Sequence, residues 1–131
     1  EIRRGFDVRP SPSTDPASAE GTSLSDPDQG GESLEDVLFR VRKVWYEHVV
    51  RALESSRLPL IVGHGNSLRA LMMHIEEMSP HAIRDVEVPR AIPIVYELDD
   101  KSRPRGRSYL GSKKMARDAE LALINEVDRE T

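Results

Sequence analysis

The chain has 131 residues, 37% hydrophobic and 32% charged, the mixture of one soluble globular domain and not of a fibre. Its 19 basic and 23 acidic side chains leave a formal charge of -4, so no general basic field draws it to nucleic acid or an anionic membrane, and any anion site has to be local. It has no cysteine, which excludes disulfides, thiolate metal sites and a cysteine nucleophile; no apolar run approaches the ~20 residues that span a bilayer, and a cytoplasmic location is expected.

The chain opens at Glu1, and Ile2-Arg3-Arg4-Gly5 follows without a turn or cap signal, as in a piece of something longer. From Arg9 to Gly31 the residues are mostly Pro, Ser, Gly and Asp, with Leu24 the only large apolar side chain; so little to bury predicts a flexible loop. Ser33 and Asp36 form a capping box ahead of a long helix whose apolar stripe is Leu34, Val37, Leu38, Val41, Val44, Trp45, Val49, Ala52 and Leu53. Residues 58–62, LPLIV, read as a strand buried on both faces in a parallel sheet. A second helix is expected from about Ser67, with Leu68, Leu71, Met72, Ile75 and Met78 inward, and a helical turn from Pro80 to Val86 that Pro89 stops. Ala91 to Leu98 reads as a second strand with Pro93 near its start. Residues 101–107, KSRPRGR, read as a basic turn-rich loop, and a last helix is expected over 113–127. Helix, strand, helix, strand, helix predicts a layered α/β fold. Two strands alone cannot cover a segment as apolar as 58–62.

Chemistry concentrates in Gly63-His64-Gly65-Asn66-Ser67, at the carboxyl end of the first expected strand, where open α/β sheets hold ligands. Glycines there permit unusual backbone angles and close ligand approach. The N–H groups and positive dipole end of the following helix suit a phosphate. His64 adds a proton donor. The competing reading is a histidine that merely caps the helix or satisfies a carbonyl. The run is not a G-x-S-x-G elbow, because Ser67 falls two places after Gly65. His48, His74 and His81 lack the spacing of a helical zinc site and read as surface side chains, so no metal is expected. Trp45, Met72, Met73 and Met78 read as core, and Arg103, Arg105 and Arg107 as a solvated turn.

HGNSLRAL at 64–71, GESLEDVLFRV at 31–41 with Trp45 after it, IPIVYELD at 92–99, YLG at 109–111 and RRGFDV at 3–8 resemble, in this order, the C-terminal half of the cofactor-dependent phosphoglycerate mutases of the histidine phosphatase superfamily. The resemblance implies a three-layer α/β fold with a mostly parallel sheet, of which residues 1–131 supply the C-terminal part. It implies interconversion of 3-phosphoglycerate and 2-phosphoglycerate through a phosphohistidine, primed by 2,3-bisphosphoglycerate and without a metal. By the same resemblance His64 is the second active-site histidine, Gly65 and Asn66 contact phosphate, and Arg3 and Arg4 hold the substrate's anionic groups. Guanidinium forks suit carboxylate and phosphate.

Three departures accompany the match. The family's Arg-His-Gly nucleophile segment is absent, so the nucleophile and the acid/base glutamate lie outside this chain, which alone is expected to be inactive. Arg90-Ala91 stands where the family commonly has Thr-Gly. The 9–31 loop is short and low in complexity. The implied partners are a small phosphorylated substrate and the missing N-terminal half of the domain; homo-oligomerisation stays open, as do a bisphosphoglycerate mutase, a broad phosphatase or a non-catalytic anion- or partner-binding fragment.

Overall fold

The computed structural model describes residues 6–9, 31–111, 114, 115, 117–119, 121 and 122. Arg3, Arg4 and nearly all of the 9–31 loop lie outside the described residues.

The first helix begins where its sequence says it should. The Ser33 Oγ accepts from the Asp36 N–H at 3.2 Å, and the Asp36 carboxylate accepts from the Ser33 N–H at 2.9 Å, so two otherwise orphaned donors satisfy each other's residue. Hydrogen bonds from the Ser33 hydroxyl and N–H hold the Asp36 carboxyl at about 2, and Arg9, 2.7 Å away, adds to them. The helical run comprises α1 (Leu34–Val44), a π-helical stretch (Trp45–Val50) and α2 (Arg51–Glu54). Glu35 and Asp36 in the first turn and Arg42 and Lys43 in the last both oppose the dipole of α1. Val44, at the edge of the expected stripe, is exposed.

This run ends in a Schellman motif. Ser56, at φ 56°, sits in the left-handed region; its N–H bonds Leu53 O and that of Arg57 bonds Ala52 O. Helix α3 (Gly65–Ile75) starts two residues before its expected position and ends in the same way: Glu77 is at φ 52° and Met78 N–H bonds Met73 O.

Helix α3 is buried on two sides, which a single stripe could not describe. Its Ala70 and Met73 pack with Ile83 against Leu34, Val37 and Leu38 of α1. Its Ile75 joins Trp45 and Val49, bordered by Leu53, Leu71, Tyr96 and Leu98. Met72 is buried as well, so the methionines and Trp45 serve as core, with Met78 at its margin. Arg69 is buried on this helix, and its Nη2 donates to Ile83 O at 2.6 Å, tying α3 to the 3₁₀ turn Ala82–Asp85.

The sheet observed among the described residues is an antiparallel hairpin of β1 (Ile94–Leu98) and β2 (Pro104–Tyr109). The α/β class therefore holds, while a parallel sheet is not seen here. Strand β2 corrects the expected loop. Its pairing is set by the turn, where Asp99 accepts from the Lys101 and Arg103 N–H groups, each at 2.9 Å, and from the Arg103 side chain. The Arg103 backbone and then its side chain hold the Asp99 carboxyl at about 2. Pro104 pairs opposite Leu98 beside a register shift, where a missing N–H is tolerated. Residues 58–62 are the larger correction: they have no sheet partner, and Leu58, Leu60 and Val62 face solvent. The described residues from 114 to 122 are helical, within the span expected for the last helix. No helix among the described residues is long and apolar enough to cross a membrane.

Candidate functional site

His64 is the residue at which the irregular 57–64 segment becomes α3. Its backbone is extended, at φ -71° and ψ 154°, and its carbonyl accepts the first helical bond from Leu68 N–H at 2.9 Å. Its imidazole makes no cap hydrogen bond and is exposed. The side chain therefore does not serve the helix. It is open to solvent at the head of the first turn.

That turn is open in two further respects. No acidic side chain lies in it, in contrast to α1 with Glu35 and Asp36; the partial positive charge of about +0.5 at the α3 N-terminus is uncompensated from within. Among the described residues, no hydrogen bond engages the N–H groups of Gly65, Asn66 and Ser67. Asn66 is exposed and Gly65 half-buried.

The glycines act differently from expectation. Neither Gly63 nor Gly65 has a positive φ, so unusual backbone angles are not their role. A Cβ built on Gly65 would meet nothing within 4 Å, and one on Gly63 would make ordinary contact with Leu68 at 3.5 Å. The fold itself has no steric need for glycine at 65. The position leaves room for the close approach of a ligand.

Of the expected site residues, His64, Gly65 and Asn66 thus stand together at one helix terminus, and Arg3 and Arg4 are outside the described residues. The chain just after them docks on α1: Phe6 packs against the core, its carbonyl accepts Glu35 N–H at 2.9 Å, and Arg9 pairs with Asp36.

Several polar residues were not legible as a unit. Arg107 was expected in a solvated turn, yet its Nη1 lies 2.8 Å from Glu76 Oε1, which also accepts the Tyr96 hydroxyl. Burial, then the bond to Glu76, pushes the Tyr96 phenol above its usual range. His74 is likewise not a surface histidine. It is half-buried, edge-on to Trp45 at 5.9 Å and to Tyr46 at 5.4 Å. It lines a groove of about 500 Å³ with Leu38, Arg42, Met73 and Glu77. That groove holds none of the His64 turn. The signals available were an arginine on an apolar helix face for Arg69 and, for His74, its i−3 neighbour Leu71 in the stripe; neither names a partner.

Residues 7–105 match the histidine phosphatase superfamily, branch 1. The 2,3-bisphosphoglycerate-dependent phosphoglycerate mutase of Nitratidesulfovibrio vulgaris is 35% identical over 123 residues, covering 88% of this chain and 49% of that protein. The protein of the same description from Lachnoclostridium phytofermentans is 44% identical over 81 residues, covering 62% of this chain and 32% of its own length. The chain spans about half, or less, of the length of these curated relatives.

Proposed function

The chain belongs to the histidine phosphatase superfamily, and we propose that it is the C-terminal part of a 2,3-bisphosphoglycerate-dependent phosphoglycerate mutase domain, a glycolytic isomerase of the cytoplasm. The observation that carries this reading is the exposed, non-capping His64 before an α3 first turn whose N–H groups are open. A phosphoryl oxygen placed there meets backbone donors of Gly65 and Asn66, the helix dipole and the imidazole at once.

The residues fit a bisphosphorylated ligand: the turn has no carboxylate to repel it and the Gly65 position leaves room for approach. When bound, 2,3-bisphosphoglycerate supplies the phosphoryl group that primes the enzyme. His64 donates to the phosphoryl oxygens and stabilises charge as the group moves between 3-phosphoglycerate and 2-phosphoglycerate. The accepting histidine lies outside this chain. Arg3 and Arg4 hold the carboxylate and phosphate of the substrate as bidentate forks. No metal is required, and the chain by itself is inactive.

The experiment is a titration with 2,3-bisphosphoglycerate followed by amide chemical shifts. Saturable shifts at Gly65, Asn66 and Ser67 are expected, and His64→Ala weakens them. With the rest of the domain supplied, the same substitution lowers phosphoryl transfer by ~10²–10³-fold, the usual contribution of one preorganised donor. Turnover unchanged by His64→Ala overturns the assignment.

A further inference from the structure

Leu38 of α1 and Met73 of α3 are both buried, and they line the groove beside His74 together with the half-buried Met78 and with Tyr46, which is 60% exposed. Its volume of about 500 Å³ suits one small molecule. His74 stands ~15 Å along the α3 axis from His64, so this space is separate from the anion site at the helix start.

Two opposite charges border the groove, Arg42 from the last turn of α1 and Glu77 from just past α3. Both are exposed, and among the described residues neither side chain makes a hydrogen bond or an ion pair. They do not neutralise each other. Burial lowers the protonation of His74, Arg42 lowers it further and Glu77 opposes them, so both charges reach the same imidazole from different elements. That ring is neutral at pH 7. The groove therefore offers one cation and one anion above an apolar lining.

A ligand with a carboxylate alone would face Glu77 as a like charge, and one with an amine alone would face Arg42 in the same way. A zwitterion answers both. The lining calls for an apolar side chain, and two thioethers beside the Tyr46 ring favour an aromatic one, because sulfur and aromatic rings attract at close range. We propose that the groove between α1 and α3 binds a free aromatic α-amino acid, with its carboxylate on Arg42, its ammonium on Glu77 and its ring against Leu38, Met73 and Met78.

The test titrates the 131-residue chain with L-phenylalanine and follows amide chemical shifts. Saturable shifts at Arg42, Tyr46, His74 and Glu77 are expected, with half-saturation below about 1 mM. Arg42→Gln and Glu77→Gln each raise that concentration about tenfold, while the core amides of Ala70 and Ile83 hold their positions and report an intact fold. N-acetyl-phenylalanine, which has no ammonium, binds the parent chain about tenfold more weakly than phenylalanine does. The two compounds bind Glu77→Gln alike, as expected if the acetyl group and the substitution remove one and the same contact. Shifts that never saturate overturn the proposal, as does binding that neither substitution weakens. Alanine bound as tightly as phenylalanine overturns it too, since the ring would then contribute nothing.

Discussion

Arg107 of β2 and Glu76 at the end of α3 lie 2.8 Å apart, and Tyr96 of β1 donates to the same carboxylate. One acidic side chain therefore fastens both strands of the hairpin to the helix. All three groups are partly shielded from solvent, and removing the carboxylate strands a phenol and a guanidinium. Glu76→Ala should cost about 1–2 kcal/mol, read from the urea midpoint. Tyr96→Phe and Glu76→Ala should be markedly non-additive in a double-mutant cycle; simple additivity would show that the contacts do not act together.

His74 makes stability depend on pH. Burial, then the nearby Arg42, pushes its protonation below the ordinary 6.5, with Glu77 opposing; Trp45 and Tyr46 are the rings that face it. The unfolded chain therefore binds a proton more readily than the folded one. Stability is fully present above 6.5 and declines as pH falls below it toward the folded value. His74→Phe should flatten the urea midpoint between pH 7.5 and 5, and an unchanged slope would place the dependence elsewhere.

Among the described residues four non-glycine residues, Ser56, Glu77, Ala91 and Ser102, occupy left-handed backbone that glycine adopts without strain, and two of them close elements. Ser56 closes the first helical run at φ 56°, and Ala91 stands at φ 59° just before the hairpin. Ser56→Gly and Ala91→Gly should each stabilise by up to about 1 kcal/mol, the left-handed penalty less the added freedom of the unfolded chain. Thermal midpoints lower than that of the parent would contradict this.

Gly65→Ala separates folding from binding. The new methyl meets nothing within 4 Å and the backbone needs no positive φ, so stability should hold or rise by up to about 1 kcal/mol through helix propensity. Affinity for 2,3-bisphosphoglycerate should fall about tenfold or more, which is ~1.4 kcal/mol. Equal affinity in the two proteins would mean that no ligand comes close at this residue.

What could be read in advance was what neighbours in sequence decide. Ser33 and Asp36 cap a helix through bonds three residues apart, and the turn at His64 follows from the glycines and the stripe behind it. Strand β2 was hidden because PRGRSY carries Pro, Gly and two arginines, and its pairing depends on Asp99 organising the turn. The stripe of α3 was incomplete, missing Ala70 and Met73, because the helix is buried against both α1 and the hairpin. Glu76, Tyr96 and Arg107 are 20 and 31 residues apart along the chain, a distance at which no local pattern speaks. The apolar run 58–62 was recognised as strand-like, but its burial depends on neighbours that five residues of sequence do not name.

The bond from Arg69 to the Ile83 carbonyl lies one helical turn behind Gly65. Together with the Glu76 fastening at the far end, it stops α3 from rolling about its axis or sliding along it. The direction in which the first N–H groups point is therefore fixed when the chain folds, before any anion arrives. The ordering cost of aiming those donors falls on folding and not on the encounter with ligand, so a change at Arg69, which touches no ligand, should weaken anion capture by letting its target turn away.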